Sequence, residues 1–155
     1  MKLKPTIILY WALAGIVLGL SVSQFASATG SAFLASQPSL ILTLALIGIT
    51  IYLLTLPILR YRIKLEKNEK KQPKRPNPFY AFRLLVLSRA ITLTGSGFIG
   101  WHLGQLIWLI SFSVSPIGLV APTLFGVGGS LFMLIGGLLA ESNCRLPKDP
   151  DGETA

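Results

Sequence analysis

Apolar and polar positions alternate along this chain in long blocks rather than in residue-scale stripes. Four runs carry almost no charge: Thr6 to Phe25, Leu40 to Leu59, a run that ends near Ser111, and Ile117 to Ala140. Each approaches the roughly 20 residues that a helix needs to cross about 30 Å of hydrocarbon. Between the first two lie Gly, Ser, Gln and Pro without charge, and Ser111-Phe-Ser-Val-Ser-Pro116 separates the last two in the same way. Both read as short connections outside the membrane. Pro5 suits the first turn of a helix, and Asn77-Pro78 reads as an N-cap followed by the first helical position. From Pro78 the pattern stays helical to about Phe112, roughly 50 Å at about 1.5 Å per residue and more than a bilayer requires. Its opening turns, Phe79-Tyr-Ala-Phe-Arg83, therefore belong at the interface, where aromatic rings and Arg are favourable.

The predicted fold class is all-α: one integral membrane domain over residues 1–155, with four transmembrane helices in two hairpins. The spans fall at about 6–25, 40–59, 86–111 and 117–140, followed by a polar, disordered tail at 141–155. A basic start, an apolar run and Ala26-Ser-Ala28 also satisfy a signal-peptide pattern. The run is already long enough to span, which favours retention. Gly15-x-x-x-Gly19 in the first span and Gly100-x-x-x-Gly104 in the third raise the possibility of a parallel two-fold repeat.

Charge fixes the threading. Nine of the 14 Lys and Arg lie between Arg60 and Arg83, against Glu66 and Glu69 alone. Basic residues beside a span stay on the cytoplasmic side, so both termini and this loop are expected there, in a multi-pass protein of the plasma membrane. The middle of the loop, Gln72-Pro-Lys-Arg-Pro-Asn-Pro78, is expected to be extended and mobile. Only 13% of residues are charged and the mean hydropathy is +0.64, whereas soluble domains carry about 25% charged residues. A net charge of +8 could suit nucleic acid. Its location beside spans points instead to anionic lipid headgroups, worth about 1 kcal/mol per basic residue near the surface.

Candidate chemistry is sparse. Arg89, Thr92, Ser96, Gly100 and Gly104 recur at helical spacing in the third span, as do Gly118, Pro122, Gly126 and Ser130 in the fourth, with Gly129, Gly136 and Gly137 beside them. Small residues at such spacing let helices approach closely, so the third and fourth spans are expected to pack tightly. Arg89 lies near the hydrocarbon edge, where it either snorkels to the interface or pairs with Glu141 at the end of the fourth span. His102, the only histidine, has Gln105 one turn on and Trp101 and Trp108 nearby, and reads as part of an interfacial aromatic belt. No Asp, Glu, Cys or second His lies near it in sequence, so no metal, haem or other cofactor is expected there. The single cysteine, Cys144, excludes an internal disulfide and reads as a free thiol in a reducing tail. No nucleophile–base pair, phosphate-binding loop or dinucleotide fingerprint appears, which argues against an enzyme.

Three segments carry a likeness. Arg83-Leu-Leu-Val-Leu-Ser-Arg-Ala-Ile-Thr-Leu-Thr-Gly95, Gly100-Trp-His-Leu-Gly-Gln105 and Gly137-Leu-Leu-Ala-Glu-Ser-Asn-Cys-Arg-Leu-Pro147 resemble the actinobacterial domain-of-unknown-function family 3180, small four-span plasma-membrane proteins. The resemblance is most specific at Ala140 to Pro147, which brings Glu141, Cys144 and Arg145 forward. Lys often stands at the position of Arg89 in that family, so the likeness implies a cation there rather than one exact side chain. It implies topology and place but no activity. The functional expectation is a non-catalytic accessory subunit that meets a membrane protein partner, or a second copy of itself, through its small-residue faces or its basic loop. A minimal oligomeric transporter with a pathway between spans three and four is the alternative.

Overall fold

A computed structural model describes residues 3–30, 36–66, 77–111 and 117–144. Four helices make up nearly all of it: α1 (Pro5–Thr29), α2 (Pro38–Glu66), α3 (Pro78–Ser111) and α4 (Val120–Asn143), the last entered by a single 3₁₀ turn at Ile117–Leu119. Among the described residues there is no strand, and all four helices are long and apolar enough to cross a membrane.

The ends follow local chemistry. Pro5 opens α1 at its first turn, and Gly30 closes it in the left-handed conformation at φ 65°, a geometry that costs a glycine little. Asn77 caps α3 as expected, its Oδ1 accepting from Phe79 N–H at 3.0 Å. Two ends run further than expected. Helix α2 continues through Pro57 as far as Glu66, taking Arg60, Arg62 and Lys64 into the helix. Helix α4 continues to Asn143, so the first residues of the expected tail, Glu141 to Cys144, are ordered and mostly buried. The remainder of the tail and the proline-rich middle of the loop lie outside the described residues.

The helices do not form two hairpins. Helix α1 packs on α3, α3 on α4, and α4 on α2, while α1 and α2 barely touch among the described residues. The spatial order is α1, α3, α4, α2. Neighbours in sequence pair only in the second half, α3 running antiparallel to α4. Helices α1 and α3 run parallel, as do α2 and α4, because Gly15 meets Gly97 and Gly19 meets Trp101, while Gly48 meets Met133 and Gly136. A two-fold repeat would pack α1 on α2 as α3 packs on α4, and it is not seen. The echo between Gly15-x-x-x-Gly19 and Gly100-x-x-x-Gly104 has a different cause: the two motifs lie face to face.

Glycine decides how close these backbones come. A Cβ built on Gly100 would collide with the carbonyl of Ala12, and one on Gly104 would lie 2.5 Å from Ile16 O. The small residues of α4 divide between two neighbours. Gly126, Ser130 and Gly137 face α3, whereas Gly129 and Gly136 face Ile41 and Gly48 of α2. The stripe expected on α3 divides likewise, Arg89 and Thr92 turning to α4 and Gly100 and Gly104 to α1. Buried hydroxyls bond to their own helices: Ser88 to Leu85 O, Thr92 to Ser88 O, Ser96 to Leu93 O and Thr123 to Leu119 O. These four therefore fill space like small apolar residues, their own hydroxyl protons satisfied. On the outside the bundle presents large apolar side chains, including Ile110, Phe25 and Phe125, each about 70% exposed or more. Such a surface matches hydrocarbon rather than water.

Candidate functional site

The last turn of α4 gathers polar groups from the whole bundle. Glu141 is 2% exposed, and its Oε1 lies 3.5 Å from Arg89 Nε of α3. The same oxygen accepts the backbone N–H of Leu3, just ahead of α1, at 3.2 Å. Two residues on, Asn143 donates through Nδ2 to Thr55 Oγ1 of α2 at 3.3 Å, and Thr55 gives its own proton to Tyr52 O at 2.8 Å. Arg62 of α2 reaches Ser142 O at 3.4 Å. One helical turn thus fastens α4 to each of the other three helices. Glu141 and Asn143 share it because residues two apart on a helix point to opposite flanks, here α3 and α2.

The ion pair settles the alternatives for Arg89 in favour of pairing with Glu141, while a third of its side chain remains exposed. A carboxylate buried this fully needs both a counter-charge and hydrogen bonds, since desolvation otherwise exceeds the attraction. Arg89 and Leu3 N–H supply one of each.

Cys144 caps the turn, its N–H bonded to Ala140 O at 3.1 Å. It is buried in the apolar cluster with Ile51, Ile58, Leu84 and Ala140 rather than free in a tail. Burial pushes its thiol up to about 11, because the thiolate would lose its water. The folded protein therefore holds the neutral thiol at neutral pH. Maleimide should label Cys144 at neutral pH at least about tenfold more slowly in the native protein than in the unfolded chain. A group raised in the fold stabilises it below the unfolded value and ceases to do so as pH rises through the folded value. A loss of stability between the ordinary thiol value, 9.0, and about 11 should accompany the labelling and vanish in Cys144→Ala.

A second polar locus lies toward the opposite end. His102 is 1% exposed and sits between α3 and α4 instead of in an aromatic belt. Its Nδ1 lies 2.8 Å from Phe98 O and 3.0 Å from Ser130 Oγ. Gln105 is equally buried one turn away. Trp108 Nε1 donates to Gln24 Oε1 of α1 at 3.0 Å, beside a shallow groove of about 370 Å³ lined by Leu20, Ser21 and Ser111.

The structure brings Arg89 and Glu141 together, places Gly95 against Leu134 of α4, and sets Gly100 and Gly104 against α1. Arg145 lies outside the described residues. Among those described, no three His, Cys, Asp or Glu side chains converge as a metal site requires. Sequence reasoning missed Leu3, Ser36, Thr55 and Asn143, and gave Ser130 a packing role only, not its contact with His102. A signal existed for Thr55: Ile41, Leu44, Gly48, Ile51, Thr55 and Ile58 follow steps of three and four, the seam of a packed helix. Nothing local marks a backbone N–H such as that of Leu3.

A search of the curated proteins gave no significant match, and a search of the solved structures gave none. The family model described as Protein of unknown function (DUF3180) matches residues 8–148. That match takes in α2, α3, α4, all but the first residues of α1 and the fastening turn at Glu141–Cys144, and this chain belongs to that family.

Proposed function

We propose that the chain is a non-catalytic accessory subunit of the plasma membrane, holding a basic cytoplasmic segment, Arg60 to Arg83, in place for an acidic partner surface. The observation that carries this is the fastening of the α4 end turn to all three neighbours, Arg62 among the tethers. It fixes the base from which the segment departs. On that base Arg60, Lys64 and Arg83 are exposed, and Phe79 and Phe82 are 74% and 65% exposed. Cations among aromatic rings suit the interface, where anionic headgroups add about 1 kcal/mol per basic residue. The membrane partner would add acidic groups at the same level. A pathway between spans three and four fits less well, since Gly95 and Gly137 bring backbones into contact along that seam.

Tagged protein purified from its own membranes in mild detergent, followed by mass spectrometry and native mass measurement, tests the proposal. The expected result is a stoichiometric membrane partner that is lost when Arg60, Lys64, Lys70, Lys71, Lys74, Arg75 and Arg83 are changed to Gln, while the bundle keeps its melting temperature. A homo-oligomer without other protein would overturn it and direct attention to transport.

A further inference from the structure

Ser36 stands two residues before α2. It is 7% exposed, and its Oγ has no hydrogen-bond partner among the described residues. Beside it lies the imidazole of His102, the chain's only histidine. Ser130 Oγ gives its proton to Gly126 O at 2.8 Å, so its contact with Nδ1 is one in which the ring donates. Phe98 O, also facing Nδ1, is an acceptor as well. Nδ1 therefore carries the proton, and in the neutral ring Nε2 keeps a lone pair. Both lie against Gly126: a methyl built there would be 2.7 Å from Nε2 and 2.9 Å from Ser36 Oγ. A hydroxyl needing an acceptor and a nitrogen needing a donor border one point, close enough to be joined by a serine rotamer change or by one water. Buried polar groups are almost always satisfied, and here each is what the other lacks.

We propose that Ser36 and His102 form a buried hydroxyl–imidazole latch, closed directly or through one bound water, that fastens the start of α2 to α3. The latch has a mechanical role, because α1 and α2 barely touch and α2 rests chiefly on α4. Ser36 lies just ahead of α2, so the bond holds the entry of that helix against α3. Gly126 is part of the device, since any side chain there would fill the space between the two groups.

The test uses the full chain, labelled with ¹⁵N-histidine and reconstituted in phospholipid nanodiscs. One histidine gives two ring nitrogen resonances, so assignment is direct. The expected result is the Nδ1–H tautomer with Nε2 as a hydrogen-bonded acceptor. Ser36→Ala should move Nε2 towards the shift of a bare lone-pair nitrogen and leave Nδ1 in place, and Ser36→Thr should retain the native shift. Hydrogen exchange of the amides in the first two turns of α2 should rise several-fold in Ser36→Ala. The same change should have no further effect in a His102→Gln background. An Nε2–H tautomer, an Nε2 resonance indifferent to Ser36→Ala, or additive exchange effects would each overturn the latch.

Discussion

Gly100→Leu is expected to separate α1 from α3 and to cost about 3 kcal/mol or more, at the upper end of what overpacking usually imposes. The size follows from what the new side chain would meet. Its Cβ alone would collide with the carbonyl oxygen and carbon of Ala12, and with Ile16 N at 2.9 Å. These are backbone atoms of a continuous helix, so no rotamer change relieves the contact. The whole of α1 would have to move away along a seam that rests on Gly15, Gly19, Ser23 and Ala26. In lipid, water supplies no compensating force to push the helices back together, and packing is most of what holds them. A cysteine pair at Gln24 and Trp108, facing positions of α1 and α3 whose long side chains meet in the native protein, joined by a short bifunctional maleimide, reports the separation. Cross-linking should fall sharply in Gly100→Leu and by a smaller amount in Gly100→Ala. Gly128→Ala serves as the control, because nothing lies within 4 Å of a Cβ at that position. If Gly100→Leu cross-links and melts like the wild type, the proposed seam is wrong.

How much of this was legible in the sequence depends on the range of the interaction. Span number and approximate limits came from hydropathy, because a helix in hydrocarbon must be long and apolar whatever it packs against. Caps were equally local: Asn77 holds Phe79 N–H two residues away. The glycine motifs identified close-packing faces but not their partners. Gly15-x-x-x-Gly19 says that some helix approaches, and only the three-dimensional arrangement says that it is the Gly100–Gly104 face of α3. The two-hairpin expectation failed for that reason. Connection length favours pairing of neighbours, but the glycine faces drew α1 to α3, and the α2 seam from Ile41 to Ile58 found α4.

The polar loci divide along the same line. Arg89 and Glu141 were identifiable as a pair because charges near hydrocarbon are rare and these two end up at the same level of neighbouring spans. His102 was misplaced because a lone histidine between tryptophans matches a belt as well as a core. Its burial depends on Gly126 and Ser130 leaving room on α4, a feature of the partner helix rather than of its own neighbourhood. The Glu141–Cys144 turn was prominent in sequence, and its geometry supplies a physical reason: two flanks of one turn serve three helices.

The ion pair at that turn should respond asymmetrically to removal of its two members. Glu141→Gln leaves Arg89, which is a third exposed and can carry its charge to the interface on a flexible stem. The amide can still accept from Leu3 N–H, so the loss should be only about 1 kcal/mol, the scale of a partly solvated pair. Arg89→Ala instead removes a counter-charge from a carboxylate that is 3% exposed and cannot reach water on a long stem as Arg89 can. A fully buried pair loses about 3–5 kcal/mol when one member is removed, and the partial exposure of Arg89 lowers the expectation to about 2–3 kcal/mol. Arg89→Lys keeps the cation and should cost about 1 kcal/mol or less. Exchanging the two residues should restore only part of the loss, because Leu3 N–H needs an acceptor on α4 and a guanidinium offers none. Melting temperatures of the four variants in one detergent would rank them. A Glu141→Gln variant less stable than Arg89→Ala would mean that the carboxylate's bonds, and not its counter-charge, hold the end of the bundle together.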